Sequence, residues 1–329
     1  LPIVDTVELP DSRAPDDFVR DHSIAKEQMT KMAHSPNRRA LLLAAVAAPL
    51  AFALDAGAMS AEDRETSRTE LAAIEKQFGG RLGVYALDTG SGTEIRHRAN
   101  ERFPFCSTFK MVLASAVLAK SVQEPGLMER RIRYAQSDLV SYSPISGKHV
   151  ADGMTVDELC RAAVELSDNT AANQLIKLLG GPAAVTAFAR SIGDKTFRLD
   201  RWETELNTAI PGDLRDTTTP MAMARTLQAV ALGNALPEMQ RDMLQTWLRG
   251  CQTGAKRIRA AVPAGWDVGD KTGTGDHGTA NDIAVIWPPS RKPIVVAIYH
   301  TQEKADTRGR DEAIADAARV VVAQLQRTS

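Results

Sequence analysis

Strand-forming runs stand at both ends of the body of this 329-residue chain, with helical sequence between them. That order restricts the fold more than any other feature. Arg81–Asp88 and Thr93–Arg98 flank Thr89–Gly92, a glycine-containing hairpin connection. Three further runs come late, Trp266–Lys271, Asp282–Trp287 and Ile294–Tyr299, followed by a closing helix over Asp311–Gln326. Early and late strands can share one antiparallel sheet, which implies a discontinuous sheet domain. Between them, Thr155-Val-Asp-Glu158 reads as a capping box opening a helix through Val164. Pro220 and Pro237 sit as first-turn prolines of two more helices that stop at Gly233 and Gly250. The prediction is an α+β chain of two domains. Residues 59–102 and 250–329 form the sheet domain with its flanking helices, residues 103–249 the helical domain, and the cleft between them is the default site.

Charge and cysteine content narrow the function. With 40 Lys plus Arg against 41 Asp plus Glu, no basic footprint for nucleic acid exists, because such binding is driven by counterion release from many cationic contacts. Cys106, Cys160 and Cys251 are too few and too scattered for a disulfide framework or a CxxC metal signature. The six histidines show no HxH or HxxxH spacing, so neither metal nor cofactor is expected. Residues 35–58 run from Arg38-Arg39 through an apolar stretch to Ala56-Gly57-Ala58, the layout of an export signal with a small-residue cleavage site. Pro49 and the short length of the apolar run argue against a membrane span. We therefore expect residues 32–58 to be a signal, the arginine pair to suggest the twin-arginine route, and the mature chain to be periplasmic and free of the membrane. Residues 1–31 read as an extension ahead of a natural start at Met32.

Four polar islands carry the chemistry. Ser107-Thr-Phe-Lys110 opens a run that is apolar nearly all round, which marks a buried helix with the serine at its tip. Three-residue spacing puts amine and hydroxyl on one helix face, and the helix N-terminus favours negative charge developing beside the hydroxyl. Spacing alone proves nothing, since Ser23-Ile-Ala-Lys26 repeats it in the leader. Ser167-Asp168-Asn169 lies between two helices, the second over Thr170–Leu179; Lys271-Thr-Gly-Thr274 lies at a strand end; and Arg201-Trp-Glu203-Thr-Glu-Leu-Asn207 opens a loop containing proline and glycine. Taken singly, each has a bland reading as a cap, an exposed lysine or a solvated carboxylate.

Together, in this order and on these elements, the islands resemble the class A serine β-lactamases over residues 62–327, closest to exported penicillinases of Gram-negative bacteria. Tyr142-Ser-Pro-Ile, Asp213–Pro220 and Thr279-Ala-Asn-Asp282 add to the likeness. The resemblance implies a monomer that opens the β-lactam ring of penicillins and cephalosporins, with Ser107 as nucleophile and the N–H groups of Ser107 and Thr274 as oxyanion hole. It implies Ser167, helped by Lys110 and Lys271, as the relay to the ring nitrogen, and Glu203 with Asn207 as the pair that activates water. Lys110 and Glu203 both stand as candidates for activating Ser107. Lys271, Thr272 and Thr274 would take the substrate carboxylate, Asn169 the amide side chain, and Tyr142 would form a cleft wall. An ion pair between Arg201 and Asp216 would clamp the Glu203 loop.

Departures from the pattern qualify the expectations. Ala280 stands where relatives carry an arginine, and Arg257 is expected to substitute for it at the substrate carboxylate. Cys106 matches a cysteine of carbapenem-hydrolysing relatives, but its disulfide partner falls on Gly275, so that bridge cannot form. Sequence leaves a Cys160–Cys251 pair open, with free, buried thiols the favoured state. Two rivals remain open at this point: a penicillin-binding transpeptidase or carboxypeptidase, and a non-catalytic β-lactam sensor that stays acylated. The Glu203 loop argues against the first, and turnover against persistent labelling would decide the second.

Overall fold

In a computed structural model, residues 60–327 are described, so the expected leader falls outside them. Helix α1 (Ala61–Phe78) is followed by strands β1 (Arg81–Asp88), β2 (Glu94–His97) and the short β3 (Phe103–Pro104), then helix α2 (Phe109–Gln123). The middle carries β4 (Arg131–Ile132), β5 (Met154–Thr155), α3 (Val156–Glu165), α4 (Asn169–Leu179), α5 (Pro182–Ser191), β6 (Thr217–Thr218), α6 (Pro220–Ala231) and α7 (Glu238–Arg249). The chain closes with β7 (Asp267–Gly275), β8 (Thr279–Trp287), β9 (Ile294–Thr301) and α8 (Asp311–Arg327).

The main sheet runs β2-β1-β9-β8-β7, antiparallel throughout, so the first long strand zips directly onto the last, from Arg81 opposite Thr301 to Asp88 opposite Ile294. This is the shared sheet predicted from the order of runs. Alternate side chains divide between two cores. Leu82, Val84, Ala284, Ile286, Val296 and Ile298 pack with α1 and α8, while Tyr85, Ile283, Val285, Val295 and Tyr299 join the core of the central helices. A sheet covered on both faces needs apolar residues at every position, which is why β9 is buried along its whole length. Helix α2 lies at the heart of the second core, with Phe109 to Leu118 all buried.

Local signals account for most of the elements. Thr155 and Glu158 form the predicted capping box, with side chain to backbone bonds of 3.1 and 2.7 Å. Pro220 occupies the first turn of α6, but Pro237 stands one position earlier than expected, as the N-cap of α7. Helices α1 and α5 were not foreseen: α1 buries only Ser67, Leu71 and Ile74, too few to write an apolar stripe. Strands β7 and β8 run further than predicted, so Lys271 sits within a strand instead of at its end. Gly273 and Gly275 disguise that continuation.

Beneath β7 and β8 lie buried carboxyls. Asp270 is paired with Arg259, and Asp282 accepts a 3.0 Å bond from the Ile258 N–H; both are fully buried. The strand register sets the two acids diagonally on one face, and each retains one oxygen without a partner. Burial, then the Asp270 charge, holds the Asp282 carboxyl well above the usual carboxylate range. A native acid that keeps its proton where the unfolded chain has lost it loses stability as pH rises through that interval. Asp282→Asn preserves the acceptor towards Ile258 and carries no charge. In thermal or urea unfolding, its stability relative to wild type should therefore climb from pH 4 upwards by at most about 1.4 kcal/mol per pH unit. A constant difference across pH would show that Asp282 titrates normally.

Candidate active site

Aromatic packing fixes the turn that presents Ser107. Phe105 stacks on Phe197 with ring centroids 4.9 Å apart and meets Phe109 at 5.8 Å, anchoring both sides of the single 3-10 turn Cys106–Thr108 that leads into α2. From β8, Asn281 Nδ2 donates to the carbonyls of Pro104 and Phe105, at 2.8 and 3.1 Å. From β7, Gly273 approaches so closely that an added Cβ would lie 2.6 Å from the Phe105 carbonyl oxygen and 3.2 Å from the Ser107 nitrogen. Only glycine admits that approach. Cys106, Tyr142, Ser167 and Asp216 all hold positive φ, from 46 to 61°. Such residues cost about 1–3 kcal/mol each, and their concentration here marks a site that the surrounding structure over-determines.

Lys110, in the first turn of α2 and three residues beyond Ser107, is fully buried. Its Nζ lies 2.6 Å from Asn169 Oδ1, 2.8 Å from the Ser167 carbonyl oxygen, 3.0 Å from Ser107 Oγ and 2.9 Å from Glu203 Oε1. The first two partners only accept, so they take two N–H groups whatever the protonation state. The third position faces Ser107 and Glu203. It carries an N–H in the ammonium and a lone pair in the neutral amine. Burial pushes the Lys110 pKa down while the Glu203 carboxylate pulls the other way, and the net direction is downward.

Glu203 is held by the α4 helix. Asn173 Oδ1 accepts from the Glu203 N–H at 3.0 Å and Asn173 Nδ2 donates to its carbonyl at 2.8 Å. Its Oε1 lies 3.3 Å from Ser107 Oγ, and its Oε2 accepts from Asn207 Nδ2 at 2.5 Å. Asn207 Oδ1 is buried without a protein partner, an acceptor aimed beside the carboxylate. The predicted ion pair at the base of the loop is present: Arg201 Nε meets Asp216 Oδ2 at 2.5 Å, and Asp216 Oδ1 also accepts the N–H groups of Asp200 and Arg201.

The opposite wall is β7, an edge strand. Lys271, fully buried, donates to Ser167 Oγ at 3.1 Å and to the Thr272 carbonyl at 2.9 Å. Burial, with the Lys110 charge adding to it, brings its pKa down to about 8. Thr272 Oγ1 bonds Thr253 Oγ1 at 2.6 Å. Arg257 is 7% exposed, so it is no surface arginine, and most of its donors are spent. Nε pairs with Asp311 at 2.7 Å, Nη1 bridges the carbonyls of Gly273 and Asn281, and Nη2 donates to Thr274 Oγ1, each at 2.7 Å. It stands behind Thr274 with at most one N–H free.

These walls enclose a cleft of 380 Å³ lined by Ser107, Tyr142, Ser167, Asn169, Asn207, Thr272, Thr274 and Arg257 among others. Tyr142 forms its rim and is 58% exposed. Every residue predicted for the site meets there or directly behind its wall. Asn169 is more committed than foreseen, since its Oδ1 holds Lys110 and its Nδ2 donates to the Ser141 carbonyl at 2.9 Å. One amide N–H is left for a ligand. Sequence reasoning gave no role to Asn173, Thr253, Gly273 and Asn281. Asn173 follows Asn169 by one helical turn, which was the available signal. Asp168 proves structural, its carboxylate capping α4 and holding the Ile145–Ser146 backbone. The three cysteines are free and buried, as expected.

The family model described as the β-lactamase enzyme family matches residues 66–325. A carbapenem-hydrolyzing β-lactamase KPC of Klebsiella oxytoca is 54% identical over 289 residues, spanning 88% of this chain and 97% of its own. The chain belongs to the class A β-lactamases. Also similar is β-lactamase Toho-1 of Escherichia coli, 51% identical over 86% of this chain and 97% of its own. Among solved structures, a β-lactamase from Desulfarculus baarsii aligns with a TM-score of 0.79 and 60% identity, over 80% of this chain and 98% of that one. The lowered pKa of Lys271 makes its expected contact with the substrate carboxylate testable by pH. Above pH 8 its cation is lost, so kcat/KM for a penicillin should fall about tenfold per pH unit. A penicillin methyl ester should lack this limb, and Lys271→Arg, which cannot deprotonate, should abolish it. An identical alkaline limb for acid and ester would assign the titration to another group.

Proposed function

We propose that the enzyme hydrolyses penicillins and cephalosporins through an ester on Ser107. What carries the reading is one juxtaposition: Ser107 Oγ lies within 3.0 Å of Lys110 Nζ and 3.3 Å of Glu203 Oε1, with Asn207 on the far carboxylate oxygen. Ser107 Oγ attacks the lactam carbonyl and its proton passes to Glu203, the Lys110 position between them serving as relay. The developing oxyanion is received by the Ser107 and Thr274 N–H groups; losing one such donor typically costs about 10²–10³ in rate. The C–N bond then breaks and the ring nitrogen takes a proton from Ser167 Oγ; Lys110, 3.4 Å away, replaces it and recovers the proton held by Glu203, which restores the carboxylate, while Lys271 lies 3.1 Å from the same hydroxyl.

Deacylation separates this enzyme from a transpeptidase or a sensor. A water beside Glu203 and Asn207 loses a proton to Glu203 and attacks the ester; the bond to Ser107 Oγ breaks and Oγ recovers that proton, restoring both groups. The substrate carboxylate is taken by Lys271, Thr272 and Thr274, while Asn169 addresses the amide side chain and Tyr142 bounds the cleft. Arg257 acts chiefly through Thr274, whose hydroxyl it holds. The enzyme is read as a monomer, and the mechanism above routes no step through a cofactor or metal. The leader over residues 32–58 supports export to the periplasm, with Arg38-Arg39 favouring the twin-arginine route. Among the described residues no helix is long and apolar enough to cross a membrane.

Mass spectrometry of Glu203→Ala mixed with ampicillin should show the added mass of the drug on Ser107 persisting for hours, whereas wild type sheds it within seconds. No adduct on the variant, or a lasting one on wild type, would overturn the hydrolytic reading. Arg201→Ala removes one partner of a buried pair, a loss of about 3–5 kcal/mol. In stopped-flow traces it should slow deacylation far more than acylation; equal slowing would show that the clamp does not act through Glu203.

A further inference from the structure

A second cavity, 640 Å³, lies on the outer side of the Glu203 loop, bounded by residues 209–214, the Arg102–Pro104 segment and the chain following β9. It shares no lining residue with the catalytic cleft. Two observations give it a chemical character.

The first is a cation without a counter-charge. Arg102 is half-buried, its Nη1 donates to Thr217 Oγ1 at 2.9 Å, and among the described residues no carboxylate oxygen stands within 4.0 Å of it. Burial, followed by the charges of Arg198 and Arg190, presses its pKa downward. The carboxylates in the neighbourhood are engaged elsewhere, Asp200 with Arg198 at 2.6 Å and Asp194 with Thr226 and the Thr196 and Phe197 N–H groups. Of the other charges on the cavity wall, Arg81 is paired with Glu101 at 2.8 Å and Asp213 with Arg215 at 2.7 Å. Glu303 and Lys304 are adjacent and offset each other. The wall is left with one uncompensated guanidinium, a group suited to bidentate capture of a carboxylate.

The second observation is apolar. Ile210 and Leu214, both on the loop, are 48% and 56% exposed, among the few large hydrophobic side chains left in water. With Pro104 and Pro211 they supply the apolar part of a lining that also includes Arg102. Apolar walls with one fixed polar group are the usual make-up of a small-molecule site.

We propose that this cavity binds a small amphiphilic carboxylate, its charged end on Arg102 and its hydrocarbon body against Ile210 and Leu214. Occupancy acts on the loop that carries Glu203 and Asn207, because the cavity wall begins at Ala209, directly after Thr208, whose hydroxyl accepts from Arg201 Nη1 at 2.9 Å. The effect on turnover rests on the active-site reading above; the binding itself does not. An occupant bound to this loop geometry stabilises it by mass action and should protect its amides from exchange.

Octanoate is the probe. Titrated into the whole enzyme and followed by amide NMR, it should saturate with shifts concentrated in residues 209–214 and around Arg102. Octanamide and acetate, lacking the charge and the hydrocarbon respectively, should bind at least about tenfold more weakly. Arg102→Gln removes the charge and should weaken octanoate by about tenfold or more. Leu214→Asp, at an exposed position that carries no folding burden, should do the same. The titration is repeated on Glu203→Ala enzyme acylated by ampicillin, with the adduct verified by mass, and the shifts should persist with the cleft occupied. Failure of that adduct to form would count against the active-site reading and leave the titration of the unacylated enzyme to decide the cavity. Shifts confined to Ser107 and Lys271, or affinity unaltered in both variants, would overturn the proposal.

Discussion

The burial of Lys110 governs the architecture of the site. An ammonium removed from water in the first turn of an apolar helix is tolerable only if its donors are met, and the three acceptors come from two separate places in the chain. The Ser167 carbonyl and the Asn169 amide lie at the junction before α4, and Glu203 lies on a loop that α4 and β6 hold in place. Each acceptor therefore does two things: it lowers the cost of the buried charge, and it brings its own reactive neighbour to Ser107. The backbone strain at Ser167 and Asp216 is kept by the same convergence, since relaxing either would strand a charge.

Glu203 illustrates how positioning is layered. Its backbone is gripped by Asn173, its carboxylate by Asn207 and Lys110, and the loop as a whole by Arg201 and Asp216. The Asn207 carbonyl in turn accepts the Asp276 N–H at 2.9 Å, tying the loop to the β7–β8 turn. Chemistry that depends on a carboxylate, an amide and a hydroxyl within a few tenths of an ångström is thus built on rigid elements at both ends.

What the sequence made legible and what it concealed differ by range. Ser107 and Lys110, Thr155 and Glu158, and the hairpin before β2 are governed by spacings of a few residues, and these were readable because helix and turn geometry are local. The meeting of the islands was readable only through family likeness. Arg257 was assigned to the substrate because its charge is visible in sequence, whereas its four backbone and side-chain acceptors are visible only in the fold. Gly273 and Gly275 misled for a physical reason. Glycine inside a strand reads as an ending, but here it marks where another backbone presses against the strand: an added Cβ at Gly275 would sit 2.5 Å from the Asn207 carbonyl oxygen. Helix α1 escaped because its exposed surface dominates its composition.

The pairing of β1 with β9 has a consequence for biosynthesis. Thr89 bonds the Pro293 carbonyl across 204 residues of intervening chain, and the whole catalytic segment lies inside that span. Until the last strand leaves the ribosome, β1 has no long neighbour and the apolar faces of both cores lack a partner. Closure of so distant a contact comes late and slowly. A truncated polypeptide ending before residue 294 would retain all the reactive side chains named above and still lack the scaffold that aligns them, which leaves the emerging polymer open to chaperones and proteases until its final turn of synthesis.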